Sequence, residues 1–168
     1  MLEFERVIQT GGIVLFPSDT VYGLAVEPDR ATRLFALKGR AAEKPAALMY
    51  FDLDAALAAH PEIPERARAL LPGPVTLVLP SGVGLRCVDI PALAGVRIPV
   101  LQSSANRAGE PSVRRLADVD PAIRAGVDLE IDGGELPGVA STVIDLRDGW
   151  RILREGALDA GSIARALG

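Results

Sequence analysis

The sequence predicts an α/β domain built on one twisted, mixed sheet flanked by helices, and three observations carry that prediction. Short aliphatic runs such as Ile13-Val14-Leu15-Phe16 and Val75-Thr76-Leu77-Val78-Leu79 alternate with alanine-rich stretches, but without a regular βαβ rhythm. Aromatic residues make up 4% of a chain that is 49% hydrophobic, so the core rests on Ala, Leu and Val rather than on large rings. A length of 168 residues suits one well-buried core and is too short for two, so residues 1–168 are expected to form a single domain.

Leu2, Phe4, Val7 and Ile8 fall on one face of a short helix over 2–9, stopped by Gly11-Gly12. Ile13–Phe16 reads as a buried strand ended by Pro17, and Ser18-Asp19-Thr20-Val21-Tyr22-Gly23-Leu24 turns the chain. Its small polar residues either line a pocket at a strand end or bond their own backbone. Asp29 is a candidate N-cap for a helix through Leu34, Phe35 and Leu37, which brings Lys38 and Arg40 to the C-terminal end. There they serve a ligand or complement the helix dipole. Ala46–Phe51 is a second apolar strand, followed by helices over Asp52–Ala59 and Pro64–Leu71. Pro72-Gly73-Pro74 then stops the chain before strand Val75–Leu79.

Residues 81–95, rich in Gly, Val and Ala, read as a loop with short extended pieces. Val96-Arg97-Ile98-Pro99 places Arg97 inside an apolar strand, where a buried guanidinium needs a partner or ligand; otherwise it is an exposed edge residue. After Ser103-Ser104-Ala105-Asn106 come a polar loop to Ser112, a helix over 115–125 and a strand over Val127–Ile131. Asp148-Gly149 is a hairpin signal joining Ser141–Leu146 to Trp150–Arg154, and Ser162–Leu167 closes as a short helix.

A net charge of −4 argues against a generally basic surface for indiscriminate nucleic-acid binding and leaves room for a local basic face. Cys87 is the only cysteine, which excludes an internal disulfide and a cysteine metal cluster. The lone His60 sits in an alanine-rich stretch with nothing to pair it to Cys87, so the thiol reads as a small core residue. The residues from Met1 to Arg6 carry both signs of charge and no long apolar run, so neither a signal peptide nor a membrane span is expected and the chain reads as cytoplasmic. The phosphate-loop, dinucleotide-glycine and histidine-metal motifs are all missing, so nucleotide binding must use dispersed side chains and no protein-held metal is expected. Lys38, Arg40, Ser104, Asn106, Ser141 and Arg154 all fall where the chain changes direction, a pattern suited to orienting a phosphorylated substrate.

In order, Pro17-Ser18-Asp19-Thr20-Val21-Tyr22-Gly23-Leu24, Lys38-Gly39-Arg40, Pro72-Gly73-Pro74-Val75-Thr76, Val96-Arg97-Ile98-Pro99, Ser104-Ala105-Asn106, Asp132-Gly133-Gly134, Ser141-Thr142-Val143 and Leu153-Arg154-Glu155-Gly156 resemble the YrdC-like family over nearly the whole chain. The resemblance implies the family fold and ATP-dependent synthesis of threonylcarbamoyl-adenylate from threonine and bicarbonate. That reaction begins threonylcarbamoyladenosine modification of tRNA, feeds downstream tRNA-modification proteins and uses no protein nucleophile. By motif, Lys38, Arg40, Lys44, Ser104, Asn106, Ser112 and Arg154 fall to ATP, with Lys38 and Arg40 as the catalytic cations. Thr20, Arg97 and Ser141 fall to threonine, and magnesium to the phosphates.

Against the family pattern, about fifteen residues look missing between Arg97 and Ser104, which would open one wall of the pocket. Met49 stands for a histidine, Ala140 for a glutamate, and Ala41 and Glu155 for prolines, while the further C-terminal domain of longer relatives is not seen. Two other readings stay open: a non-catalytic module of the same fold binding double-stranded RNA or tRNA through a focused basic groove, and a related adenylating or carbamoyl-transferring activity on another acceptor.

Overall fold

A computed structural model describes residues 2–39 and 46–168. Nine strands among these form one mixed sheet in the order β7-β1-β2-β6-β3-β5-β4-β8-β9. They are β1 (Val14–Pro17), β2 (Tyr22–Val26), β3 (Ala47–Tyr50), β4 (Val75–Val78), β5 (Gly84–Cys87), β6 (Val100–Ser104), β7 (Leu129–Glu130), β8 (Thr142–Asp145) and β9 (Arg151–Arg154). Six helices accompany them: α1 (Glu3–Gln9), α2 (Ala31–Leu37), α3 (Leu53–Ala59), α4 (Glu65–Arg68), α5 (Pro121–Arg124) and α6 (Ala160–Leu167).

Because side chains alternate along a strand, the register assigns each residue to a face. Leu15, Leu24 and Ser103 are neighbours across β1, β2 and β6, while Leu48, Leu85, Leu77 and Ile144 are neighbours across β3, β5, β4 and β8. That face is closed at one end by α2, whose Leu34 packs on Leu15, Leu24 and Tyr22, and at the other by α3, α4 and α6 through Ala56, Ala67 and Ile163. Asp52 and Asp159 cap α3 and α6 by accepting from the N–H groups of Ala55 and Ser162. On the opposite face, α1 covers Val14, Phe16, Ala25 and Met49 with Phe4, Val7 and Ile8. Beyond that cover, the same face presents Gln102, Arg86 and Thr76 to a cleft.

Several expected elements are redrawn. The turn over 18–24 is confined to Ser18–Val21, and Tyr22 already begins a fully buried strand. Asp29 lies in a 3₁₀ turn, Pro28–Arg30, and gives α2 no side-chain cap. The helix expected over 115–125 reduces to a 3₁₀ turn, Leu116–Asp118, and the four-residue α5, because Pro121 can only open a helix. The strand expected at Val96–Pro99 is absent and the sixth strand starts at Val100, whereas the region read as loop contains β5. Cys87 is fully buried on that strand, as a core residue.

Candidate active site

A cleft of about 560 Å³ opens on the uncovered part of the sheet. Thr20, Lys38, Ser104, Asn106, Ser112, Ser141 and Arg154 all line it, so seven of the residues singled out in the sequence converge from six separate segments. Arg40 and Lys44 lie outside the described residues. The described lining includes the cations Lys38, Arg86, Arg107, Arg147 and Arg154 and no carboxylate, on a chain whose net charge is −4.

Local chemistry fixes each group. Ser18 Oγ donates to the Val21 carbonyl at 2.6 Å and accepts from the N–H groups of Thr20 and Val21, each at 3.2 Å, which closes the turn and seats the Thr20 hydroxyl 3.0 Å from Ser18 Oγ. Lys38, buried at the end of α2, donates Nζ–H to Ser103 Oγ at 2.9 Å and to the Ser104 carbonyl. The ammonium therefore braces the strand end that carries Ser104 and Asn106. Asn106 gives its amide N–H groups to the carbonyls of Arg107 and Glu110. Its Oδ1 is buried with no partner among the described residues.

On the far wall, Arg154 Nη2 donates to the Ser141 carbonyl at 2.7 Å and to Ser141 Oγ at 3.3 Å. Burial, and then the nearby charge of Arg86, lower the Arg154 pKa from its ordinary value, and Arg154 forms no ion pair with a described carboxylate. Gly156 makes this wall possible: a Cβ there would lie 2.2 Å from the Ala140 carbonyl, which accepts from the Ala157 N–H at 2.9 Å.

Arg97 requires a correction. Its side chain is 72% exposed and bonds Asp52 at 2.5 Å, its backbone N–H bonds Glu5 at 2.8 Å, and it does not line the cleft. The buried arginine of the site is Arg86 on β5, only 3% exposed, with Nη2 2.5 Å from Asp19 Oδ1 and Nε 3.4 Å from the Val75 carbonyl. Sequence reading missed it because Gly82 and Gly84 gave 81–95 the look of a loop. Two-residue alternation was the available signal, since Gly84 and Arg86 face the cleft while Leu85 and Cys87 face the core.

Residues 88–99 join β5 to β6 and place Val88, Ile90, Leu93 and Val96 in the core under α1. Met49, which stands where the family pattern has a histidine, is fully buried in that core as the cross-strand neighbour of Arg86. Asp132-Gly133-Gly134 is structural: the buried Tyr22 hydroxyl lies 3.0 Å from Asp132 Oδ1 and accepts from the Gly133 N–H at 2.9 Å. No described helix is long and apolar enough to cross a membrane, and no cluster of three or more metal-binding side chains occurs among the described residues.

The family model Sua5_yciO_yrdC, described as telomere recombination, matches residues 6–156. A threonylcarbamoyl-AMP synthase of Pyrococcus abyssi is 35% identical over 96% of this chain, which spans 55% of that relative's length. One from Xanthomonas campestris is 32% identical over 86% of this chain and 91% of its own. Among solved structures, P. abyssi Sua5 complexed with L-threonine superposes with a TM-score of 0.84 at 32% identity, covering 97% of this chain and 56% of that one. Escherichia coli YciO shares the fold with a TM-score of 0.75 at 22% identity, covering 92% of this chain and 87% of that one. With the family model spanning most of its length and the cleft assembled from the motif residues, this chain belongs to the Sua5/YciO/YrdC family.

Proposed function

We propose that this protein makes threonylcarbamoyl-adenylate from L-threonine, bicarbonate and ATP, releasing pyrophosphate, as the first step of threonylcarbamoyladenosine formation on tRNA. The observation that carries this reading is the cleft, whose described lining holds five cations and no carboxylate, three of them (Arg86, Arg107 and Arg147) paired with Asp19, Asp120 and Asp145 outside the lining, facing a substrate rich in negative charge. Supporting it, the Xanthomonas relatives bear the synthase name over nearly their full length, and the P. abyssi structure holds L-threonine.

In this reading Lys38, Ser104, Asn106, Ser112 and Arg154 take the nucleotide. Arg154, which bonds Ser141 but pairs with no described carboxylate, offers its charge to a phosphate. Thr20, Arg86 and Ser141 take threonine, with Arg86 replacing Arg97 as the partner of the amino acid's carboxylate. Only two of the five guanidinium N–H donors of Arg86 bond described residues, so donors remain for an incoming anion.

The chemistry needs no nucleophile from the protein. The threonine nitrogen bonds the carbon derived from bicarbonate with loss of water, a carbamate oxygen attacks the α-phosphorus, and the bond to pyrophosphate breaks. The residues hold these partners in line and neutralise the charge that grows on the phosphate oxygens. The described lining has no carboxylate for a protein-held divalent ion, so magnesium would enter on the ATP phosphates.

The test is pyrophosphate release measured with each substrate omitted in turn. Release that requires threonine and bicarbonate together supports the synthase. Release independent of threonine refutes it. No turnover and no ATP binding, with salt-sensitive binding to double-stranded RNA, would favour the non-catalytic RNA-binding module.

A further inference from the structure

Thr76 was read only within an aliphatic strand and a family motif, yet it links the contacts of two of the cleft's guanidinium groups, Arg86 and Arg154. Arg86 Nε reaches the carbonyl of Val75, the residue before it, and Arg154 Nη2 reaches both oxygens of Ser141. Across the β4–β8 junction, Thr76 Oγ1 lies 2.8 Å from Ser141 Oγ. Thr76 is half-buried and lines the cleft, whereas Ser141 is 6% exposed.

Donor counting leaves one hydrogen of this chain without a partner among the described residues. A guanidinium can only donate, so Ser141 Oγ is an acceptor toward Arg154, and the two hydroxyls share one further hydrogen bond. Between them the two hydroxyls own two hydrogens, and one is used in that bond. One O–H is left over, and an acceptor for it has to come from the cleft. If Ser141 gives its hydrogen to Thr76, the leftover O–H belongs to Thr76, the more accessible of the two.

We infer that Thr76 is a substrate-contacting donor: it ends a chain running Arg154 to Ser141 to Thr76 and gives its O–H to an oxyanion held between Arg86 and Arg154. The oxyanion is a carboxylate or a phosphate oxygen, which present the same acceptor at this position. The inference rests on the proposed substrates for the identity of the ligand but not for the existence of the oxyanion site.

Thr76→Val keeps the β-branched shape and removes the hydroxyl, while Thr76→Ser keeps the hydroxyl. Calorimetric titration of both variants and of the unmodified protein with pyrophosphate, L-threonine and ATP separates the cases. Thr76→Val is expected to weaken at least one of these ligands by roughly tenfold or more, the scale of a hydrogen bond to a charged group, and Thr76→Ser to stay within about threefold. Loss confined to L-threonine assigns the carboxylate, and loss of ATP and pyrophosphate assigns the phosphate. Binding of pyrophosphate without L-threonine by the unmodified protein would refute the threonine assignment while still reading the oxyanion site. Unchanged affinities in Thr76→Val, no oxyanion binding by the unmodified protein, or failure of serine to restore binding would each overturn the inference. So would a silent Thr76→Val change in a Ser141→Ala background, because Thr76 would then act only by orienting Ser141.

Discussion

Exchanging Arg86 for lysine separates the two arginines that compete for the amino acid's carboxylate. Arg86 is 3% exposed and its closest partner is Asp19 Oδ1 at 2.5 Å, whereas Arg97 is 72% exposed against Asp52. Complete removal, as in Arg86→Met, leaves the Asp19 carboxylate uncompensated beside the sheet, a loss on the order of 3–5 kcal/mol in unfolding free energy. Arg86→Lys keeps a positive charge for Asp19 and loses the planar fork, so stability falls less while a two-pronged grip on a carboxylate is lost. That grip contributes roughly 1.5–3 kcal/mol, which predicts a rise in the L-threonine Kd of about tenfold to a hundredfold. Arg97→Ala removes an exposed ion pair of about 0–1 kcal/mol and should leave L-threonine affinity unchanged within about twofold. Urea unfolding gives the stabilities and isothermal calorimetry the affinities, with ATP titrated in parallel to show that the fold of the cleft persists. Loss of L-threonine binding in Arg97→Ala, with full binding retained in Arg86→Lys, would refute the assignment and return the exposed arginine to the site.

Gly156→Ala should lower both stability and ATP affinity, because its Cβ would lie 2.2 Å from the Ala140 carbonyl and push out the wall that carries Ser141 and Arg154; thermal unfolding and ATP titration check this. Hydrogen bonds from Arg147 and Arg151 hold the Asp145 carboxyl well below its ordinary range. A depressed carboxylate pKa stabilises the fold above the unfolded value and loses that stabilisation as pH falls through the folded one, so Asp145→Asn should flatten the acid limb of a stability-versus-pH curve measured from pH 5 downward. Burial pushes the Cys87 thiol up to about 11, so iodoacetamide at pH 8 should leave it unmodified in the native protein and label it readily in urea. Ready labelling of the native protein would mean that β5 is not a core strand.

The layered plan of the protein was legible from period and punctuation, since Ala47–Tyr50 and Val75–Val78 form strands inside the predicted aliphatic runs and β1, Val14–Pro17, runs one residue past its own. The convergence of Lys38, Ser104, Asn106, Ser141 and Arg154 on one cleft was legible as well, because each sits where the chain turns at the end of an element. Pairings between distant segments were not legible. Arg86 meets Asp19 across 67 residues and Lys38 meets Ser103 across 65, and no local pattern in a single sequence encodes such a contact. The misplacement of the buried arginine has a local cause too. Val96-Arg97-Ile98-Pro99 looks like a strand by propensity, but the chain between the 3₁₀ turn Pro91–Leu93 and β6 is still approaching the sheet there. Gly84-Leu85-Arg86-Cys87 carries two weak strand formers yet is held on both sides by β3 and β4.

That contrast separates the motif residues that line the cleft from those that hold the frame. Asp132, Gly133 and Gly134 clasp the Tyr22 hydroxyl, and a Cβ on Gly133 would strike Pro17 at 2.4 Å, so this triplet fixes where β1 ends and the Ser18–Val21 turn begins. The turn in turn seats Thr20 at the cleft and Asp19 on Arg86. A change at Gly133 therefore reaches the site through the turn, without contacting any ligand. Gly133→Ala should lower L-threonine affinity more than ATP affinity, because the strained turn carries Thr20 and Asp19 while Arg154 and Ser141 stand on the opposite wall. Equal loss of both ligands in a variant that still unfolds cooperatively would show that the two walls move as one.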